Sequence, residues 1–587
     1  MAAAPVKLSE PKQQPFHRNF NAPSWGELFH AFYLSPGSVP NTGWTFQPKS
    51  IPAIRLIDLQ SLSYECPPEL QLAYDEDVKW LTDLLNYAEM PEGEWDRRPP
   101  VTCRLSNDEN EFLLEIGFSV PFIGRPCGFV RTFKCPEPIK ERFRWINHTV
   151  SVNDWLRSVG LGLPTANQIR GSLFQGSWAV CYDMAQFFHQ FEYSPSLRKY
   201  FVYEHGGVMY SLTRMAMGQK QTSRIAHTSL SVISYRASQL SFGLRYIDNL
   251  LFVGSPDSVW ASSKQLFHDA NFVGATINEA MDFSRVSRKV EFLGFVLDYE
   301  HKTVALGDKT IKKLMFVRDE INNAKQLTTR QLSVVLALLF YAHYVKKYTA
   351  GDSISLHPTA VRLYSNIGKR CSGNPSLYDE VWPITDNERR DILSWLDSDL
   401  LNIPAMVLAD THNPNDILFV DSCCTRWWAI RYNRITREVR RDGGDFPEAL
   451  PSSVASEPTG ATYALERLYG PDERLTVLVV TDHESMVPAL EKGYSLHPLY
   501  NQMCRYVRLQ RPKLVLRGIH LAGVDHPCDE ESRGSDFIEE KLWKAVASVE
   551  GCLPMKEQHN GVEVPVVFGK PAFGQENLEA VVGPSPI

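Results

Sequence analysis

Six acids stand where a folded chain would bring carboxylates together. The apolar run "WAVCYD" (178–183) ends on Asp183, and "LRYIDNLLFVG" (244–254) sets Asp248-Asn249 between two further apolar runs. An Asp-Asn pair between such runs predicts a tight hairpin turn, because both residues tolerate turn geometry. A lone hairpin tip is most often a plain surface turn. A strand-end Asp and a hairpin-tip Asp on rigid elements, however, can bridge two Mg²⁺ (or Mn²⁺) ions. One ion would activate a hydroxyl and the other would hold a triphosphate, as nucleotidyl transfer requires. Between these acids, "YSLTRMAMGQKQTS" (210–223) carries Gly218, which is expected to let the backbone approach a substrate closely.

A second set follows further along. Asp421 ends "ILFV", Asp482 ends "LTVLVVT", Glu457 precedes the helical "ATYALERL", and Asp529 lies in "HLAGVDHPCDEESR". Together they are candidates for a second two-ion centre, suited to phosphodiester hydrolysis. Acids are common at strand ends and helix starts for structural reasons, so the order of the whole series carries this reading. Pro458 disfavours helical backbone at the residue before it, which predicts Glu457 at the helix cap. His520 and His526 are expected to be structural.

The elements that must hold these acids are legible more coarsely. At about 100–200 residues per domain, 587 residues predict three to five domains. An apolar content of 43% is enough for folded cores. Residues 1 to about 100 are rich in prolines and aromatics, and "MAAAPVKLSEPKQQP" lacks a signal pattern and reads as disordered. Short strand-like and helical runs alternate from about 115 to 300. "TIKKLMFVRDEINNAKQL" and "TTRQLSVVLALLFYAHYVKKY" then have apolar residues at helical spacing, "THNPND" (411–416) is a linker, and strands return. A Pro/Gly/Val-rich tail is expected from about 545. The longest apolar run, "LSVVLALLFYAHYV" (332–345), is too short to span a bilayer, so no membrane partner is expected. Eleven cysteines without a CxxC pair favour reduced thiols and an intracellular place, cytoplasmic or nuclear. The net charge of −7 argues mildly against nucleic acid, although "RFR" (142–144), "KK" (346–347) and "REVRR" (437–441) are local phosphate-binding candidates.

Taken as an ordered series, these motifs resemble the reverse transcriptases of retroviruses and retrotransposons. "YIDN" stands where that family has Tyr-x-Asp-Asp, and "DMAQFFHQF" stands for its Asp-Leu-x-x-Ala-Tyr-x-Gln-Ile block. "RMAMGQKQTS" matches its Leu-Pro-x-Gly block, "FLGF" its primer-grip hairpin, and "FVRTFKCPEPIKERFRWINHTVSVN" its fingers hairpin. "EPTGATYAL" and "HLAG…D…SR" resemble the ribonuclease H domain of long-terminal-repeat and tyrosine-recombinase elements. "LTTRQLSVVLALLFYAHYVKK" resembles the thumb-to-connection region of gypsy-like ones. The divergent turn resembles DIRS-like or VIPER-like elements. The series covers about residues 115–540, and no protease, integrase or recombinase signature accompanies it.

The resemblance implies an α+β and α/β multidomain chain. It would have an N-terminal extension (1–100), right-hand polymerase fingers and palm (101–300), a thumb and connection (301–405), a ribonuclease H-like domain (406–545) and a tail (546–587). It implies that Asp183 and Asp248 hold one pair of metal ions and that Asp421, Glu457, Asp482 and Asp529 hold another. Lys134, Arg144, Gly218 and Lys220 would lie near the incoming triphosphate. Phe188 takes the place of the aromatic gate against a 2′-hydroxyl, where the residues alone read equally well as core packing. Tyr246 and Asn249 would flank the catalytic turn, and Phe292, Leu293 and Gly294 would form the primer grip. The implied partners are an RNA template, a DNA primer, RNA–DNA hybrid and deoxynucleoside triphosphates. Asn249 departs from the family's second Asp. The family's lysine between turn and grip has no clear match, Arg288 and Lys289 being the nearest cations. The runner-up reading is a decayed or domesticated nucleic-acid-binding scaffold without polymerase activity, and a structural particle component is a third.

Overall fold

In the computed structural model, the described residues are 43–82, 102–137, 142–157, 160–323, 326–346, 358–371, 374–396, 405–407, 413–553, 556–559 and 562–565. The disorder expected at the N-terminus lies outside them. The chain is a mixed helix-and-sheet protein with several small sheets.

Part of the expected N-terminal extension belongs to a core. Helices α1 (Leu56–Ser63) and α2 (Pro68–Lys79) bury Leu59, Leu62, Leu70, Tyr74 and Val78 in the same cluster as Val180 and Tyr182. Strands β1 (Arg131–Glu137) and β2 (Arg142–His148) then form an antiparallel hairpin.

The continuous apolar runs of the first motif region follow from burial on two faces. Strands β3 (Trp178–Asp183), β4 (Phe242–Tyr246) and β5 (Asn249–Gly254) make a three-stranded antiparallel sheet with β5 in the centre. Side chains alternate across a strand, so Leu250 and Phe252 join one core while Leu251 and Val253 join another. Helices α3 (Thr222–Ile233) and α4 (Pro256–Val273) pack against this unit. The expected hairpin after it is present as β6 (Lys289–Phe292) and β7 (Phe295–Asp298). Its two tip residues, Leu293 and Gly294, both have positive φ, the geometry of the tight turn that matches strand twist.

Four helices come next: α5 (Asp308–Asn323), α6 (Thr329–Lys346), α7 (Pro358–Cys371) and α8 (Asp386–Leu396). Among the described residues, no helix is long and apolar enough to cross a membrane.

The last sheet is built from β8 (Asp416–Ser422), β9 (Arg426–Asn433), β10 (Val439–Asp445), β11 (Leu475–Thr481) and β12 (Leu514–His520). Its order is β10-β9-β8-β11-β12, antiparallel among the first three and parallel from β8 through β12. Helices α9 (Ser453–Leu468), α10 (Met486–Lys492) and α11 (Pro498–Gln510) cover one face, packing on Leu418, Val420, Val477 and Val479. Helix α12 (Glu539–Gly551) covers the other, on Ile417, Phe419, Leu478 and Val480. The tail expected from residue 546 therefore starts later: α12 runs through that position and buries Val546 and Val549, at the helical spacing of one apolar face.

Candidate functional site

The first pair of acids meets at one end of the β3-β5-β4 sheet. Asp183 closes β3 directly opposite Asn249, and the Met184 amide donates to the Asp248 carbonyl at 2.9 Å. The hairpin turn differs from expectation by one residue. Tyr246 pairs with Asn249, so Ile247 and Asp248 are the turn pair and Asn249 already belongs to β5. Ile247 adopts φ +58°, a strained conformation for a β-branched residue. Its amide donates to Nδ1 of His227 at 3.3 Å, and burial lowers that imidazole to about 4, which keeps the ring a neutral acceptor. The two-sided burial of Leu250 to Val253 fixes this register, because a one-residue slip would exchange both cores.

Side-chain amides hold both acids. Asn278 Nδ2 donates to Asp183 Oδ2 at 2.6 Å, and Asn249 Nδ2 donates to Asp248 Oδ1 at 2.8 Å. A third carboxyl, Glu279, accepts from the Asp183 amide at 2.9 Å and lies 3.7 Å from Arg285. The sequence reading missed Asn278 and Glu279, since neither has a motif of its own. They arrive because the Thr276–Glu279 segment pairs with β3 on the edge away from β5. Tyr246 is half-buried with its hydroxyl raised by burial and by Asp248.

The residues expected near a triphosphate are more scattered. Cys135 faces Arg144 in the β1/β2 register and Lys134 faces Trp145, so Lys134 and Arg144 point to opposite sides of the hairpin. Each has an acidic partner: Lys134 Nζ lies 2.7 Å from Glu109, and Arg144 Nη2 lies 2.5 Å from Glu137. Gly218 makes a close approach to backbone: a Cβ there would lie 2.6 Å from the Asn147 carbonyl oxygen. Asn153 ties this loop down, donating to the Gly218 carbonyl at 2.7 Å and accepting from the Lys220 amide at 3.0 Å. The Lys220 ammonium donates to the Leu156 carbonyl at 3.1 Å. Phe188 lies in the 3₁₀ turn after Asp183, half-buried against the core. Phe292 is buried, while the Leu293 carbonyl accepts from the Tyr341 hydroxyl at 2.6 Å, which closes the hairpin tip against α6. Arg288 pairs with Glu300 and lies over the Trp178 ring.

The second set of acids forms the tighter centre. One carboxyl oxygen from each of Asp421, Glu457 and Asp482 lies within 4.8 Å of the others. Parallel pairing of β8 and β11 brings Asp421 and Asp482 to the same sheet end. Glu457 comes from inside α9, not from its cap: the helix begins at Ser453 and continues through Pro458. Proline costs one early helical hydrogen bond there, and packing of Ala461, Ala464 and Leu465 on the sheet holds the helix regardless. Gly460 makes the close fit possible, because any Cβ would collide with the Ser422 hydroxyl.

Burial and mutual repulsion set the electrostatics of this centre. Glu457 is 3% exposed, and its Oε2 has no hydrogen-bond partner. Burial, then Asp421 and Asp482, raise its carboxyl to about 9. Asp482 is raised by burial and by Asp421 and Asp529. Asp529 approaches the same point: a Cβ on Gly523 would lie 3.1 Å from Asp482 Oδ2 and 3.9 Å from Asp529 Oδ1. Arg533 pairs with Asp529 at 2.5 Å, and the Ser532 hydroxyl donates to Asp421. His520 and His526, expected to be structural, each have Nε2 at 3.1 Å from a backbone carbonyl, of Asp482 and Val480 respectively. An all-oxygen, partly orphaned acid set fits Mg²⁺ or Mn²⁺.

No protein-family model and no curated protein matches this chain. Solved structures do show a likeness, and reverse transcriptases are among them. One is the foamy viral protease-reverse transcriptase in complex with double-stranded DNA, with a TM-score of 0.43 and 14% identity over 80% of this chain and 99% of that one. Another is the same viral protein with RNA/DNA hybrid, with a TM-score of 0.42 and 14% identity over 81% of this chain and 64% of that one. At that identity and score the likeness extends only to a mixed helix-and-sheet architecture, and the functional reading rests on the residues.

Proposed function

We propose that this chain is a reverse transcriptase with ribonuclease H activity: DNA synthesis on RNA and DNA templates, with hydrolysis of the RNA in RNA–DNA hybrids. The observation that carries it is the buried Asp421–Glu457–Asp482 cluster with its orphaned Glu457 oxygen. Three carboxyls buried this close together repel one another, a cost that a pair of divalent ions would relieve. The β10-β9-β8-β11-β12 sheet order and the resemblance of "EPTGATYAL" and "HLAG…D…SR" support the nuclease assignment. Asp421, Glu457, Asp482 and Asp529 would hold the ions, which supply Lewis-acid activation of water and stabilise the departing oxyanion. In the polymerase half, Asp183 and Asp248 would hold a second pair, with Asn249 as an amide neighbour. RNA template, DNA primer and deoxynucleoside triphosphates are the substrates of that reading.

The nucleic-acid scaffold reading has one observation in its favour. The Asn249 amide is engaged on Asp248, while Lys134 and Arg144 are engaged on glutamates. Two assays separate the readings. Asp482→Asn should abolish hydrolysis of RNA in a hybrid while primer extension continues, and Asp183→Asn should do the reverse. A protein that cleaves hybrid but extends no primer with Mg²⁺ or Mn²⁺ would leave the polymerase half as a scaffold.

A further inference from the structure

A second feature lies away from both acidic centres, where α6 and α7 meet the last sheet unit. Helix α10 ends at Lys492, and Gly493 takes φ +71°, turning the chain so that Tyr494 folds back onto α6. Tyr494 stacks on Phe340 with ring centroids 5.0 Å apart and planes 26° apart, and Tyr364 meets Phe340 edge-on at 5.2 Å. With Leu496 and Ser485 these side chains line a cleft of about 340 Å³, into which Lys492 also faces.

Lys492 is the unusual member. It is half-buried, and among the described residues it makes no ion pair or hydrogen bond. Burial alone lowers its ammonium. The adjacent acid does not serve it, because Glu491 accepts from the Gly518 amide at 2.9 Å and from Asn167 Nδ2 at 2.8 Å, and pairs with Arg517 at 3.4 Å. A desolvated ammonium facing an aromatic cleft is complementary to a flat ring that carries a negative group. The volume is within the range of small-ligand sites.

We propose that this cleft binds a nucleoside monophosphate unit, its base against Tyr494 and Tyr364 and its phosphate on Lys492. The unit comes either from a free nucleotide or from an unpaired strand residue. The proposal does not require either acidic centre to be catalytic.

The test uses the full chain in EDTA, with dAMP as probe, followed by calorimetry and by saturation transfer to the base protons. dAMP should bind saturably. Lys492→Gln should weaken dAMP about tenfold and leave adenosine unchanged, as loss of one charge-assisted contact predicts. Lys492→Arg should restore binding, and Tyr494→Leu should weaken both ligands. Displacement of dAMP by a single-stranded oligonucleotide would assign the unit to a strand, and failure of displacement would assign it to the free nucleotide. Absence of saturable dAMP binding would overturn the proposal. So would equal affinity in the parent, Lys492→Gln and Tyr494→Leu proteins with unchanged circular dichroism.

Discussion

Glu457 reaches from α9 to the end of β8 and accepts a hydrogen bond from the Ser422 amide at 3.3 Å, one residue past Asp421. That single contact offsets little of the burial, and the carboxyl is raised from 4.5 to about 9. Between those pH values the metal-free folded chain holds a proton that the unfolded chain has released, so its stability falls as pH rises through the window. A divalent ion must displace that proton. Calorimetric Mg²⁺ titrations near neutral pH, in buffers of different ionisation enthalpy, should show release of about one proton as this centre fills. Glu457→Gln should remove the release. Buffer-independent heats in the parent protein would show that Glu457 is already ionised.

Asn249 sits opposite Asp183 and donates to Asp248. Asn249→Asp replaces that hydrogen bond with a like charge, so the metal-free protein should lose about 1 kcal/mol of stability, read by chemical denaturation. Primer extension at low Mg²⁺ should be unchanged or increased. A variant that is stabilised without metal, or that loses extension, would contradict this geometry.

Phe188 is only half-buried, in the turn that follows Asp183, so part of its ring faces outward from the core. Phe188→Val should raise ribonucleotide over deoxyribonucleotide incorporation by about tenfold, the scale of a steric change in a pocket wall. An unchanged ratio with activity intact would return Phe188 to a packing role.

Gly218 is held against Asn147 and Asn153. Gly218→Ala should lower stability by about 1–3 kcal/mol through overpacking against rigid backbone. Chemical denaturation measures it. A neutral variant would mean that the loop moves freely away from β2.

What was readable in sequence was local. The apolar runs that end in Asp183, Asp421 and Asp482 are strands, and the acids stand at their ends. The hairpin at residues 289–298 and the helices of 308–346 were equally legible, since periodicity is written within one element. The mixed helix-and-sheet class follows from that alternation.

Tertiary structure decided everything that depended on a partner distant in the chain. The turn is Ile247–Asp248 because two cores hold β5 in one register, and that is strong enough to force Ile247 into a left-handed conformation. Glu457 lies inside a helix despite Pro458 because burial of the helix face on the sheet outweighs one lost hydrogen bond. The raised carboxyl of Glu457 has no trace in its own neighbourhood of sequence, because its burial, and after that the nearness of Asp421 and Asp482, come from packing of α9 on the paired strands. Lys134 and Arg144 diverge for the same reason: strand register, which spacing alone does not encode, sets them on opposite faces of one hairpin.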